Sequence, residues 1–209
     1  MTYYKDGLEQ DQLEVLEEVG HQMTDWGFYL AGGTALTIYL KHRRSIDLDW
    51  FREQSLGDVM VFAQRLRDAG IPFSTHQTAP GTLHGEIQGV RVSFLEFRYS
   101  TLNPLTHWDE LGIQLASLDD LACMKLSAIA QRGFWKDFLD IYALCTAHRP
   151  LQELLPLYQK KFSVQDISPV LYGLVYYDDA EEQRMPVMLW DVPWSQVKSA
   201  IREWVREIS

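Results

Sequence analysis

Thiols are scarce in this chain. Cys123 and Cys145 are the two cysteines among 209 residues, both fall inside apolar helical patterns, and neither has a CxxC neighbour or histidines at ligand spacing. That excludes a disulfide scaffold and a zinc module, and reads as two reduced core residues. Positive charge is also short: 19 Lys and Arg stand against 29 Asp and Glu, a formal charge of −10. A protein whose whole surface grips nucleic acid is thereby excluded, because affinity for phosphate backbones comes from clustered cations. Local clusters remain in "KHRR" (41–44), in Lys125, Arg132 and Lys136, and in "QKK" (159–161). No apolar run reaches bilayer-spanning length, and "MTYYKDGLEQDQLEVLEEVG" holds no basic stretch followed by a short apolar core. No membrane span, secretory signal or transit peptide is expected, and the expected location is cytoplasmic. Repeats and low-complexity segments are absent too.

What is present is a globular composition, 46% apolar and 23% charged, enough to bury one or two domain cores. From Leu8 to Trp26, apolar residues recur at three- and four-residue steps, predicting an amphipathic helix with a carboxylate-rich outer face. "FYLAGG" reads as a short buried strand entering a glycine turn, "TALTIYLKH" as a helix, and "SIDLDWF" as a second strand. "LGDVMVFAQRLRDAG" is another helix, and "TLHGEIQ" and "VRVSFLEF" form a hairpin turning at Gln88 and Gly89. "YSTLNPLTHWDE" reads as a linker. Beyond it the pattern is helical: Ser117 caps "SLDDLACMKLSAIAQRG", "FWKDFLDIYALCTAH" follows, and further helices fill the tail. The expected organisation is an α/β domain over 1–103 and a helical domain over 104–209, with a cleft between them.

One stretch carries chemistry. Successive strand side chains point to opposite faces, so Asp47 and Asp49 project to one side while Leu48 packs inward. Two adjacent carboxylates repel unless a cation sits between them, and carboxylate oxygens suit Mg2+ that shares its shell with substrate phosphates. Just upstream, Gly32, Gly33 and Thr34 end a strand and open a helix. Free N–H groups there, with no Cβ in the way, suit a phosphate. Lys125 and Arg132 lie on one helical face and are consistent with a phosphate wall, against the plainer reading of a snorkelling lysine. His42, His84 and His107 have no acid or cysteine at useful spacing and read as structural or surface residues.

"GGTAL", "HRRSIDLDWF", "DLACMKLSAIAQRG" and "KDFLDIYAL", in that order, resemble the AbiEii/AbiGii-type nucleotidyltransferase toxins of the DNA polymerase β-like superfamily. The tail "GLVYYDDAEEQRMPVMLWDVPW" is similar to segments of that family as well, so the resemblance covers most of the chain. It implies an α+β fold: a polymerase β-like domain with a small mixed sheet flanked by helices, then a C-terminal helical domain. It also implies that Gly32, Gly33 and Thr34 hold an NTP triphosphate, that Arg43 and Ser45 lie near phosphate, and that Asp47 and Asp49 hold Mg2+. Lys125 falls on the motif lysine that contacts nucleotide phosphates, with Arg132 beside it. Asp137 or Asp140 falls on the last motif acid, which would orient or deprotonate the acceptor. The superfamily's third metal carboxylate has one counterpart here, Glu96.

The function so implied is Mg2+-dependent transfer of a nucleoside monophosphate from an NTP to an acceptor hydroxyl on tRNA or protein, by the toxin of a pair with a cognate antitoxin. The acidic balance suits a cationic small-molecule acceptor such as an aminoglycoside, which is the alternative enzyme reading. A non-catalytic nucleotide- or protein-binding module of the same fold is the alternative from another class.

Overall fold

The computed structural model describes residues 3–208. Helix α1 (Gln10–Asp25) buries Val15, Leu16, Val19 and Met23 and turns its carboxylates outward, as its spacing dictates. Strand β1 (Tyr29–Ala31) is buried throughout and runs straight into α2 (Gly32–Leu40). The chain returns as β2 (Asp47–Arg52), which buries Leu48 and Trp50 and leaves Asp47, Asp49 and Phe51 on its other face. Helix α3 (Val59–Asp68) is capped by the Asp58 side chain, which accepts from the N–H groups of Met60 and Val61.

Three strands follow: β3 (Phe73–Ala79), β4 (Thr82–Ile87) and β5 (Val90–Glu96). The β4–β5 turn has Gln88 at φ 51° and Gly89 at φ 85°. Two consecutive positive φ values form the hairpin turn whose twist matches that of its strands. Short strands β6 (Thr106–Trp108) and β7 (Ile113–Leu115) complete a mixed sheet ordered β3-β4-β5-β2-β1-β7-β6. Its centre is parallel between β2 and β5 and between β1 and β7, and antiparallel between β1 and β2.

Helices α4 (Leu118–Gln131), α5 (Trp135–Ala147), α6 (Leu151–Phe162), α7 (Ser168–Val175), α8 (Asp178–Glu181) and α9 (Trp194–Arg206) make up the helical half. Ser117 caps α4 by accepting from the N–H of Asp120, and Gly133 follows that helix at φ 54°.

Two expectations change here. The segment read as a linker contains β6, and β6 and β7 lie past the boundary expected at Asn103 while pairing onto β1 through Leu30 and Leu115. One buried apolar cluster also joins Leu30 and Trp50 of the sheet to Phe138, Leu154 and Val197 of the helices. The sheet layer thus continues to Leu115, and its core is shared with the helices behind it. Strand β3 was not expected at all. It is an edge strand with Phe73 as its one buried residue, so it lacks the alternation that marks a half-buried strand.

Candidate functional site

The floor of the site follows from strand parity. Asp47 and Asp49 stand side by side on the open face of β2, where the chain leaving β1 at Ala31 pairs with Asp49. Backbone and carboxylate approach closely: a Cβ built on Gly32, at φ 70°, would sit 2.6 Å from Asp49 Oδ2. One built on Gly33 would sit 2.5 Å from Arg43 Nη2 and 2.8 Å from Ser45 Oγ. A side chain at either position would push these groups aside, and at Gly32 the positive φ favours glycine as well. Ala31, the N-cap of α2, offers no side-chain cap, so the first-turn N–H groups open beside the carboxylates without one.

Asp49 keeps part of its surface open to the cleft, yet burial pushes its carboxyl above the ordinary range. A hydrogen bond from Ser93 opposes that rise and the charge of Asp47 adds to it. Arg91 Nε lies 2.8 Å from Asp47 Oδ1 in an orientation that makes an ion pair without a hydrogen bond.

Behind this floor lies a buried charge network. Arg43 grips Asp140 with two parallel hydrogen bonds, Nε to Oδ1 at 2.7 Å and Nη2 to Oδ2 at 2.8 Å. Lys125 Nζ reaches Asp140 Oδ2 at 2.6 Å and Asp137 Oδ1 at 2.9 Å, and Arg132 Nε is 3.3 Å from Asp137 Oδ2. Burial alone would raise the Asp140 carboxyl, but Arg43 and Lys125 outweigh it and hold Asp140 well below the usual carboxylate range. Burial likewise disfavours charge on Lys125, and the two aspartates outweigh it and raise its pKa. At Lys136 the balance runs the other way: burial and the charge of Lys125 outweigh the pull of Asp137 and Asp47 and lower its pKa.

His42 completes the network, with Nε2 2.7 Å from Asp140 Oδ1 and its Nδ1 buried without a partner. The carboxylate can only accept, so Nε2 carries the proton, and protonating Nδ1 would bury an N–H with no acceptor. Burial accordingly lowers the pKa of His42, against the pull of Asp140. In the unfolded chain the imidazole takes up its proton near pH 6.5. The unfolded state therefore binds more protons below that point, and His42 contributes stability that is present above pH ~6.5 and lost as pH falls. Urea unfolding at pH 7.5 and pH 5.5 should show a smaller loss of stability for His42→Gln than for the unaltered chain.

Gly32, Gly33, Arg43, Ser45, Asp47, Asp49, Lys125 and Arg132, all expected from the sequence, line one cleft of about 430 Å³, within the range of small-ligand pockets. Thr34 is buried, and its hydroxyl donates to the Asp47 carbonyl rather than reaching the cleft. Asp137 and Asp140 both face inward, fully buried and committed to cations. Glu96 is not brought to this site. Three residues beyond Ser93, it sits on the opposite face of β5, where its carboxylate accepts from the Ser55 hydroxyl and the Leu56 N–H and pairs with Arg98. Asp49 instead faces Ser93.

Ser93 and Thr82 escaped the sequence reading, and His84, read there as structural or surface, lines the cleft as the cross-strand partner of Ser93. A two-residue turn at Gln88 and Gly89 fixes that pairing, so it could have been counted from the turn. His42 did have an acid, Asp140, but one 98 residues away. With Gly32 this close to Asp49, Gly32→Ala should lower the rate of whatever chemistry uses Asp49 by about a hundredfold through displacement of the carboxylate. The positive φ adds about 1–2 kcal/mol of destabilisation. Activity and thermal melts read the two effects separately.

Comparison with known proteins identifies the family. The sequence model described as "Nucleotidyl transferase AbiEii toxin, Type IV TA system" matches residues 89–203. The uncharacterized protein aq_aa25 of Aquifex aeolicus (strain VF5) is 36% identical over 204 residues, covering 96% of this chain and 97% of that protein. Among solved structures, the nucleotidyltransferase toxin MenT4 of Mycobacterium tuberculosis H37Rv superposes with a TM-score of 0.60 at 13% identity, over 95% of this chain and 84% of that one. A nucleotidyltransferase-fold protein from H. pylori superposes at 0.54 and 13% identity, over 94% and 93% of the two chains. The last two share the fold, and the family match spans more than half of the chain. This protein belongs to the AbiEii nucleotidyltransferase toxin family.

Proposed function

We propose that the protein transfers a nucleoside monophosphate from an NTP to a hydroxyl at an RNA terminus, in the presence of Mg2+. The observation that carries this reading is the Asp47–Asp49 pair facing the uncapped N-terminus of α2 across glycines that leave no room for a side chain. Two like charges on one strand face, one with its carboxyl pushed up by burial and by its neighbour, fit a divalent cation between them and substrate phosphates. Asp47 and Asp49 would hold it, and when bound it supplies Lewis-acid polarisation of the phosphoryl oxygens. The α2 N–H groups bind the β- and γ-phosphates. Arg43 and Lys125, held in place by Asp140, set a fixed positive wall that steadies the departing pyrophosphate.

The acceptor choice rests on a second cleft, which shares Arg43, Ser45, Asp47 and Lys136 with the first. Arg43, Arg44, Arg91, Lys136 and Arg184 line it against two acids, Glu9 paired with Arg44 and Asp47 paired with Arg91, and this cationic excess favours a polyanionic acceptor over a cationic one. The chain carries the negative net charge elsewhere, as on the outer face of α1. Family membership supports a toxin role with a cognate antitoxin. Among the described residues no helix is long and apolar enough to cross a membrane, and we place the activity in the cytoplasm.

Incubation with each α-labelled NTP, Mg2+ and total RNA, beside an Asp49→Asn control, tests the proposal. Metal-dependent label on RNA is the expected result. Label on a small cationic acceptor alone, or on none, would overturn the acceptor or the activity respectively.

A further inference from the structure

Asp49, Ser93 and His84 form a row across three adjacent strands. Asp49 on β2 pairs with Ser93 on β5, and Ser93 pairs with His84 on β4, all three on the face that lines the cleft. Strand register sets Ser93 beside Asp49, and a carboxylate can only accept, so the Ser93 hydroxyl has an acceptor next to it. His84 Nδ1 lies 3.0 Å from Ser93 Oγ. With the hydroxyl turned to Asp49, Nδ1 is the donor to Ser93 and, in a neutral imidazole, Nε2 is the unprotonated nitrogen; Nε2 has no hydrogen-bond partner among the described residues.

Most other ionisable groups lining the cleft are taken: Asp47 is paired with Arg91, Arg43 and Lys125 are committed to Asp140, Arg132 to Asp137, and Asp49 is the metal-holding acid of the reading above. Lys136, whose pKa is lowered, is the competing base, and it has no neighbour that fixes a free lone pair as Ser93 does for His84. The acids Asp137 and Asp140 are sealed in the network, and Glu96 faces away.

We propose that His84 is the general base of the transfer and that Ser93 is the positioning residue that fixes its tautomer; this rests on the nucleotidyl-transfer reading above. The acceptor hydroxyl gives its proton to His84 Nε2 as its oxygen forms a bond to the α-phosphorus. The bond from that phosphorus to the bridging oxygen of the β-phosphate breaks, and pyrophosphate leaves with the electron pair. The imidazolium then returns its proton to solvent.

Two measurements on the full chain test this. Nitrogen-15 histidine spectra, with the His84 signals assigned by their loss in His84→Asn, should show His84 as the Nδ1–H tautomer, and Ser93→Ala should release that preference. A fixed Nε2–H tautomer overturns the proposal. Single-turnover transfer from labelled NTP to total RNA should fall about a hundredfold or more in His84→Asn, with nucleotide affinity within about threefold of the unaltered chain. Asparagine keeps a donor for Ser93, so a purely structural role would survive the change. An unaltered transfer rate, or a loss confined to nucleotide affinity, overturns the proposal and in the second case makes His84 a reader of the nucleotide. An unaltered chain that transfers nothing sinks the functional reading itself, a result distinct from failure of the variant alone.

Discussion

Replacing Asp49 by asparagine lowers nucleotidyl transfer by about a thousandfold and raises thermal stability at the same time. The first effect follows from removing half of the charge that would hold a divalent cation against the phosphates, a contribution of several kcal/mol at about 1.4 kcal/mol per decade of rate. The second follows from sign. Burial and the neighbouring charge of Asp47 raise the Asp49 carboxyl in the fold, so the folded chain binds the proton more tightly than the unfolded chain. The ionised group therefore destabilises the fold progressively as pH rises above the ordinary carboxylate value. An amide of the same shape removes that repulsion, as expected where a site holds strain for function. Single-turnover transfer and thermal melts at pH 7.5 read the pair of outcomes. A fall in both activity and Tm would mean that Asp49 is structural.

Replacing Asp140 by alanine destabilises the protein by about 3–5 kcal/mol, because Arg43 and Lys125 are left buried and uncompensated. At this chain length that is a fall in Tm of about 6–20 °C. The loss comes from stranded charge more than from a missing contact, so adding Lys125→Met should recover part of it. Chemical denaturation of the two variants measures the recovery, and a double variant less stable than Asp140→Ala alone would contradict this account. Asp140 in its charged form also contributes stability of the opposite pH sense to Asp49. Its carboxyl is depressed in the fold, so its contribution is complete above the ordinary carboxylate value and is lost as pH falls through the folded value.

The halves of the site differ in how far the sequence reveals them. Gly32, Gly33, Asp47 and Asp49 announce themselves because local rules place them: strand parity puts the carboxylates on one face, and a strand-to-helix glycine pair leaves N–H groups open. Lys125 and Arg132 were legible as one helical face, but not the fact that both turn onto Asp137. Whether Asp137 or Asp140 faced the cleft was the wrong choice to pose, since a carboxylate on a helix can be claimed by cations from distant elements, and Arg43, 97 residues from Asp140, does so. Glu96 had the flanking residues of a metal ligand but the wrong parity relative to the register set by Asp49 and Ser93. Strands of three residues, such as β6 and β7, carry too few side chains to show a period and exist by virtue of the partner they pair with.

The pairing of Leu30 with Leu115 bears on how the protein comes into being. A nascent chain emerging from the ribosome exposes the glycine turn and both carboxylates long before β7 arrives to flank β1. Longer still passes before α5 delivers Asp140 to Arg43. Until then Arg43 and Lys125 lie in an unfinished layer without the carboxylate that fixes them. The cleft floor is thus coded early in the chain, and the partners that hold its cations in place are coded later.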